Sequence, residues 1–543
     1  MAFRVQIRRD PSGKWIVNNP VLLSGEFGYE TDTSYMKIGD GVTPWNYLPY
    51  WTGAEGATGA TGAGLEGSQY ILVTADGSDI ENAEQLQAAY DKAKTMSPTG
   101  DNRISVIVSP GNYNFGDDNF LVDTDYIDIL PIVDKVDDVY NYYYGNVIFN
   151  SESEIGGTIV VSALDVRVKG INVLEKSFRL SDGLGSSVII QDCSGDGEYS
   201  FGGDEIGISI GCTFINCIGE FSRNGYSFGN YKNCNGFFHN AAGYFYDCRV
   251  TSFNLTGIFE NCNITCFGYQ DPLANPEVTG SFDNCEVNIQ NDLISGYFIN
   301  CKGLFTSRYG SNTNLTGVFT DCFGDFGKIG DLSSLVGLPG ELSGLFTRCR
   351  GIFSGDNNSS TVINNNLSGI FIDCIGSFGS YNIYYYSTTF IPEFSGVFIN
   401  CYSDSSFSFG IRSTGFFHNC TAGTSSFGVG SSNNRGSFGY YVNCTAGDNS
   451  FGGTRGTEYG ISSGNYINCV AGERSFGGAY SVAASCTGIY EKCIAGSSSF
   501  GGINSQSIVG GSGVGLTGKL YYCRLTDLTF RTVTGGGRTI YCI

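Results

Sequence analysis

Histidine is nearly missing from this chain, with two residues in 543, and basic residues are outnumbered, 30 Lys and Arg against 52 Asp and Glu. Two imidazoles leave a Ser-His-Asp or Cys-His mechanism little to stand on. Zinc is short of ligands too, because the cysteines do not come in the close pairs such sites need, and neither a metal site nor a cofactor site is predicted. The formal net charge of −22 argues against nucleic acid and anionic membrane, both of which call for basic stripes. No apolar run reaches the length of a membrane span, so membrane insertion is not predicted, and the N-terminus lacks the apolar core of a signal peptide. The chain is therefore predicted to be made in a cytosol and to leave it, if at all, by another route.

What the sequence does contain is repetition. Gly, any residue, an aromatic, any residue, Asn or Asp, then Cys recurs as Gly257-Ile-Phe-Glu-Asn-Cys262, Gly296-Tyr-Phe-Ile-Asn-Cys301, Gly369-Ile-Phe-Ile-Asp-Cys374, Gly415-Phe-Phe-His-Asn-Cys420 and Gly464-Asn-Tyr-Ile-Asn-Cys469. Looser copies lie between these, and a polar run closing on Ser-Phe-Gly often follows. Copies lie roughly 14 to 30 residues apart, the range in which self-similarity marks a solenoid of one supersecondary unit per repeat. The repeats are rich in Phe, Tyr, Ile, Val, Ser and Thr and are cut by Gly every few residues, so the coils are predicted to be β.

Parity then places a corner. On a straight strand Phe259 would share a face with Asn261 and oppose Cys262, yet Phe and Cys both favour burial. Both can point inward only if the chain turns at Asn261, and Asn is the non-Gly residue that best tolerates the left-handed conformation of such a corner. The predicted fold is all-β: a parallel β-helix with an aromatic ladder, an Asn/Asp corner and a cysteine ladder. Sixteen of the nineteen cysteines from Cys193 to Cys523 fit one-per-coil spacing, and fifteen steps of about 4.8 Å give a shaft of roughly 70 Å. One thiol per coil reads as a small buried hydrophobe repeated, so the thiols are predicted to be reduced and packed rather than a disulfide framework.

Several motifs lead nowhere. His239 and His418 both stand in Gly-Phe-Phe-His-Asn and read as filler at the variable position of the repeat. Gly513-Val-Gly-Leu-Thr-Gly518 matches a dinucleotide fingerprint, but no helix pattern follows and Gly518 opens the last repeat copy. Acidic residues in or beside irregular coils, Asp325, Asp331, Glu341, Asp204 and Glu205, are weak candidates for a hydrolytic pair; nothing marks a pair, and acidic residues on corners are usually solvated turns.

Ahead of the repeats, residues 80–96 (Ile80, Ala83, Leu86, Ala89 and Ala93) carry the only clear helical spacing, with Asp76-Gly-Ser-Asp79 as turn and N-cap. A helix here would cover the exposed edge of the first coil, strand Ile104-Ser-Val-Ile-Val108. Asp76-Gly77, Leu86-Gln-Ala-Ala89 and Val106-Ile-Val-Ser-Pro-Gly-Asn-Tyr113 resemble the start of pectate-lyase-like β-helices. That resemblance covers about 50 residues and implies a right-handed, three-faced helix of the kind used in phage tailspikes, without implying an enzyme.

Gly53-Ala-Glu-Gly56-Ala-Thr-Gly59-Ala-Thr-Gly62 has Gly at a period of three, the signature of a collagen-like triple helix. Alone it would be a flexible linker; between modules that already trimerise it would be a three-stranded neck. Before it come Arg8-Arg-Asp10, Trp15, Asn19-Pro-Val-Leu22, Gly25-Glu-Phe-Gly-Tyr-Glu-Thr-Asp-Thr33, Lys37-Ile-Gly-Asp-Gly41, Trp45-Asn46 and Leu48-Pro-Tyr50. This stretch resembles the small β module of phage tail-fibre proteins, the N-terminal domain of the major tropism determinant family. The resemblance implies trimer formation and attachment to the virion, with Trp15, Trp45 and Tyr50 as the attachment residues. Three such aromatics also suggest a core shared with partners, and Asp40-Gly41 is a tight-turn dipeptide.

The domains predicted are thus 1–52, attachment and trimerisation; 53–67, collagen-like neck; 68–115, capping helix and first coil; 116–525, β-helix shaft; and 526–543, end cap. The function they suggest is a homotrimeric phage fibre or tailspike on the virion that contacts host-surface glycans. Two Tyr-rich insertions, around Tyr142 and Tyr143 and around Tyr384, Tyr385 and Tyr386, are candidates for stacking on sugars or for a chain-to-chain seam. A depolymerase cleaving surface polysaccharide and a capsid-decorating head fibre are the alternatives.

Overall fold

The computed structural model describes residues 8–50, 69–132, 147–151, 158–174, 178–181, 184, 187–195, 201, 212–267, 277–290, 293–307, 314–329, 340–353, 366–379, 393–403, 406, 408–410, 412–428, 436–453, 460–478, 484–500, 518–525 and 539–540. The Gly-x-y triplets, both Tyr-rich insertions, Asp204, Glu205 and Asp331 lie outside them. Two compact units are resolved, Met1–Gln69 and Tyr70–Ile543.

In the first unit, Phe27–Glu30 pairs parallel with Arg8–Asp10 and antiparallel with Met36–Ile38. A short helix α1 (Ser12–Asn18) starts after Pro11 and ends at Asn19 in the left-handed conformation. This helix was not legible in the sequence. It exists to turn Trp15 inward, where the indole stacks on Trp45 at 4.1 Å and its Nε1 donates to the carbonyl of Tyr29 at 3.1 Å. Leu22 and Leu48 complete a core within the single chain.

The second unit is nearly all β, built of parallel strands with one substantial helix among the described residues. Helix α2 (Asp79–Thr95) opens on a capping box between Ser78 and Glu81, which satisfies two backbone donors reciprocally. Ala83, Leu86, Ala89, Tyr90 and Ala93 are buried, whereas Ile80, read as part of the apolar face, sits in the first turn and is exposed. Tyr90 packs edge-on against Phe120 at 5.3 Å, and Asn82 Nδ2 donates to the carbonyl of Asn112, fixing the helix over the strand Gly111–Asn114. Beside it Arg103 bridges Asp128 at 2.8 Å and Asp165 at 2.6 Å.

Above this start, each repeat phrase forms a three-residue strand whose partner is the same strand one repeat on. Ile258–Glu260 pairs with Ser281–Asp283, which pairs with Tyr297–Ile299, always parallel and with Phe259, Phe282 and Phe298 in register. The segments after the cysteines pair in the same way in a second sheet, as Asn263, Glu286 and Lys302 do. From Phe214 to Tyr490 the central rings form a column with successive centroids 4.4 to 5.0 Å apart, such as 4.4 Å for Phe282 on Phe298 and 5.0 Å for Phe417 on Tyr441.

Parity at the corner is resolved as the sequence predicts. Every residue preceding a column cysteine, from Asp192 to Tyr522, has φ between 52° and 55°. Asn supplies more than tolerance of that conformation: Asn284 Nδ2 donates to Asn261 Oδ1 at 2.7 Å, and Asn400 Nδ2 to Asp373 Oδ1 at 2.8 Å, so the side chains form their own ladder. Where the corner is Arg348, its guanidinium reaches back in two 2.7 Å bonds to Asp321 one repeat earlier. The opening glycines answer to close approach. A Cβ on Gly257, Gly369 or Gly464 would stand 2.2, 2.3 or 2.4 Å from the carbonyl oxygen of Gly243, Gly344 or Gly439.

The described cysteines are free and buried. From Cys248 onward each column thiol donates to the carbonyl of the ring residue one repeat earlier, as Cys262 does to Phe245 at 3.4 Å and Cys374 to Phe346 at 3.3 Å, whereas Cys193 and Cys217 donate to Val168 and Ile190. The three that break the spacing have other seats. Cys266 stands in the second sheet between Ser252 and Ile289, Cys486 follows Ser462, and Cys212 occupies a glycine position beneath Gly229.

A second ring column follows the cysteines, and from Phe378 onward it was hidden inside the polar Ser-Phe-Gly runs. Phe305, Phe326, Phe353, Phe378, Phe409, Phe427, Phe451, Phe476 and Phe500 stack at spacings such as 4.6 Å for Phe353 on Phe378 and 5.0 Å for Phe476 on Phe500. They meet the first column edge to face, the arrangement favoured by ring quadrupoles. A third column changes character along the chain, from Leu315, Leu342, Leu367 and Phe394 to Ser413, Ser437 and Ser462. Where serine enters, the facing ring becomes tyrosine. Tyr441 and Tyr490 donate to Ser413 Oγ and Ser462 Oγ at 2.8 Å, satisfying hydroxyls that burial would otherwise leave unpaired.

Candidate functional site

Of the three residues offered for attachment, two are internal. Trp15 and Trp45 are 2% and 1% exposed, which gives them to the core of the first unit rather than to a contact surface. Tyr50 keeps surface, and beneath it lies a charge cluster that the sequence reading missed. Lys37, itself buried, donates from Nζ to the carbonyl of Trp45 at 2.9 Å and sits 4.3 Å from the Tyr50 ring centroid. Burial pushes its ammonium pKa down, and the nearby Glu30 carboxylate opposes that shift. Glu30 accepts from the Tyr50 hydroxyl at 3.1 Å and from the Thr33 hydroxyl. An alternation of Tyr and Lys in a sequence this short carries no signal for such a pairing.

Asp40-Gly41 forms the turn expected of it. Asp40 accepts from the backbone N–H of Val42 and Thr43 and from the Thr43 hydroxyl. The Thr43 hydroxyl and these N–H groups hold the Asp40 carboxyl at about 2, and Gly41 takes a φ of +87°. The loop from Asp40 to Thr43 is thus a rigid, anionic, exposed knuckle.

Of the acidic candidates, Asp325 and Glu341 lie among the described residues, and they are not register partners of each other. Asp325 lies in Phe323–Ile329, flanked in register by Leu304 and Ile352, while Glu341 lies in the next strand, flanked by Asn314 and Asn366. Glu341 accepts from the Ser368 hydroxyl at 2.7 Å. No cluster of three or more His, Cys, Asp or Glu able to hold a metal occurs among the described residues. His418 occupies the variable position of its strand between Ile399 and Val442, as its phrase suggests. His239 does not. Gly236-Phe-Phe-His-Asn240 has no cysteine after it, and it lies in the second sheet on Asn235–Ala241, beside Arg249–Leu255. There the ring meets Phe253 edge-on, and burial lowers its pKa.

Comparison with known proteins places one match within the first unit. Residues 5–43 match the family described as the Major tropism determinant N-terminal domain, in accord with the resemblance read from Arg8 to Tyr50. The chain is 44% identical over 50 residues to a protein named hyaluronoglucosaminidase from Streptococcus pyogenes phage H4489A, 9% of this chain and 14% of that protein. It is 30% identical over 95 residues to another of that name from Streptococcus pyogenes phage H10403, 16% of this chain and 24% of that one. The chain thus spans less than a quarter of the length of these curated relatives. No solved structure matches it, and no helix among the described residues is long and apolar enough to cross a membrane.

Proposed function

We propose that this chain is a bacteriophage fibre or tailspike protein. Three copies assemble side by side; residues 1–52 dock on the virion, residues 53–67 form a collagen-like neck, and residues 68–115 cap the first coil. Residues 116–525 wind as a right-handed parallel β-helix whose flanks contact host-surface glycans, and residues 526–543 close its far end. The observation that carries this reading is the match of residues 5–43 to a tropism-determinant domain, continued by one parallel stack. A stack in which each coil buries against its neighbours suits a stiff projecting element that must resist proteolysis. Antibody labelling of purified virions tests it: label on tail or baseplate supports a tail fibre, label on the capsid moves the protein to a head fibre, and virions free of the protein overturn the reading.

A second reading is favoured by the names of the relatives, both hyaluronoglucosaminidases of phages. In it the protein cuts a surface polysaccharide, which requires two carboxylates about 5 to 9 Å apart. Incubation with hyaluronan and with host capsule, followed by a reducing-end assay, decides between them. Sustained release of new ends replaces the binding role with an enzymatic one.

A further inference from the structure

Each strand of the first sheet turns its middle residue inward and its two flanking residues outward, so the sheet carries two outward columns. From Tyr297–Ile299 to Asn465–Ile467 these outward positions hold no Asp, Glu, Lys or Arg over eight successive strands. That is unusual on a chain of net charge −22, and the charge returns at both ends, with Glu260 and Asp283 before the stripe and Glu491 after it. Most of the stripe is apolar, and it is open to solvent: Tyr297 is 60% exposed, Ile299 and Ile370 44%, Tyr440 39% and Phe416 37%.

We infer that this stripe is the seam along which a second copy of the same chain packs, an inference that rests on the trimeric reading above. Three features select that occupant. A copy of like net charge meets least repulsion along a charge-free strip. An identical sheet has an identical rise per coil, so outward side chains of two chains standing at the same height keep register over the whole stripe. The size fits as well. Seven steps of about 4.8 Å by a width of about 10 Å make a strip near 340 Å², matching the largest apolar patches of ordinary monomers and short of the roughly 800 Å² per partner that a stable pair buries. It is a seam that adds to contacts elsewhere, such as a trimerising N-terminal module and neck would make, and neither set holds the trimer alone.

With the stripe turned to the threefold axis, equivalent positions of the parallel chains meet there, so Ile372→Cys in the full-length protein should give a covalent dimer on oxidation with copper-phenanthroline. Lys302→Cys, outward on the second sheet, should not. The double variant Ile370→Lys, Ile372→Lys should keep its far-ultraviolet circular dichroism and lower the trimer fraction in sedimentation velocity at least tenfold at micromolar concentration. A wild-type monomer would overturn the trimeric reading itself. A wild-type trimer in which Ile372→Cys stays uncrosslinked and the double variant stays trimeric would overturn the seam alone. The same holds for a double variant that remains trimeric but no longer adsorbs to host cells, which would give the stripe to the host surface.

Discussion

Removing one ring from the middle of the first column is the sharpest test of how the stack is held. Phe371 is fully buried, with Phe346 and Phe398 at 4.8 Å on either side and Phe353 and Phe378 edge-on at 5.8 and 5.9 Å. Phe371→Ala deletes the ring and leaves a cavity walled by four others, which costs about 3–5 kcal/mol by precedent for buried Phe. The ring contacts themselves account for about 0.5–1.5 kcal/mol per pair of that loss. Because each coil contacts only its neighbours, the loss should stay local. Hydrogen exchange read by mass spectrometry should show amides between Leu345 and Ile399 opening about a thousandfold more often, as about 4 kcal/mol requires, with strands near Phe214 and Tyr490 unchanged. Phe371→Leu, which keeps apolar bulk, should show a much smaller change. Exchange that rises evenly along the whole chain, or a Phe371→Ala variant indistinguishable from wild type, would refute nearest-neighbour stacking.

Other outcomes follow from the corner and the thiols. Asn261→Ala should lose about 1–2 kcal/mol through its left-handed φ of 55°, together with the bond from Asn284, while Asn261→Gly should lose less; equal losses in chemical denaturation would contradict the corner. Burial pushes the Cys193, Cys212 and Cys486 thiols up to about 12, above the value of about 9 they regain on unfolding. The unfolded state therefore binds fewer protons above pH 9, and stability should fall between pH 9 and 12, by up to about 1.4 kcal/mol per pH unit for each such thiol exposed. A denaturation midpoint that stays flat from pH 8 to 10.5 would contradict thiol burial. A thiol reagent should find the described cysteines unreactive in the native protein and all 20 of the chain's cysteines after unfolding without reductant; fewer after unfolding would reveal disulfides.

The sequence disclosed those parts of the fold that repeat at fixed positions within a phrase. Phe259, Asn261 and Cys262 could be assigned to ring, corner and thiol because parity forces a turn between two residues that both seek burial. Helix α2 was legible from its spacing and from Asp76-Gly-Ser-Asp79 as turn and cap, although Ile80 turned outward in the first turn. Features that depend on register between coils were not legible. Tyr441, Tyr466 and Tyr490 replace Phe where Ser413, Ser437 and Ser462 face them, a pairing across about 28 residues. Phe427, Phe451 and Phe476 looked like parts of polar turns because their neighbours are Ser and Gly, yet a left-handed backbone at each carries the ring inward. His239 was misplaced because its phrase was read without the missing cysteine. In the first unit, Trp15 and Trp45 were read as parts of a core shared with partners, whereas they stack on each other beside Leu22 and Leu48 of the same chain, since aromatic content cannot say which partner an indole finds.

Distances between labels on one outward column test the central claim most directly. Glu260 and Thr347 are four strands apart in register, and Glu260 and Glu491 ten. Spin labels at cysteines placed in these pairs, diluted with unlabelled chain, should give double electron–electron resonance distances near 19 Å and 48 Å, the number of strand steps times about 4.8 Å. Distances that follow the number of intervening residues, or that spread without a peak, would contradict the stacking of every repeat directly upon the last.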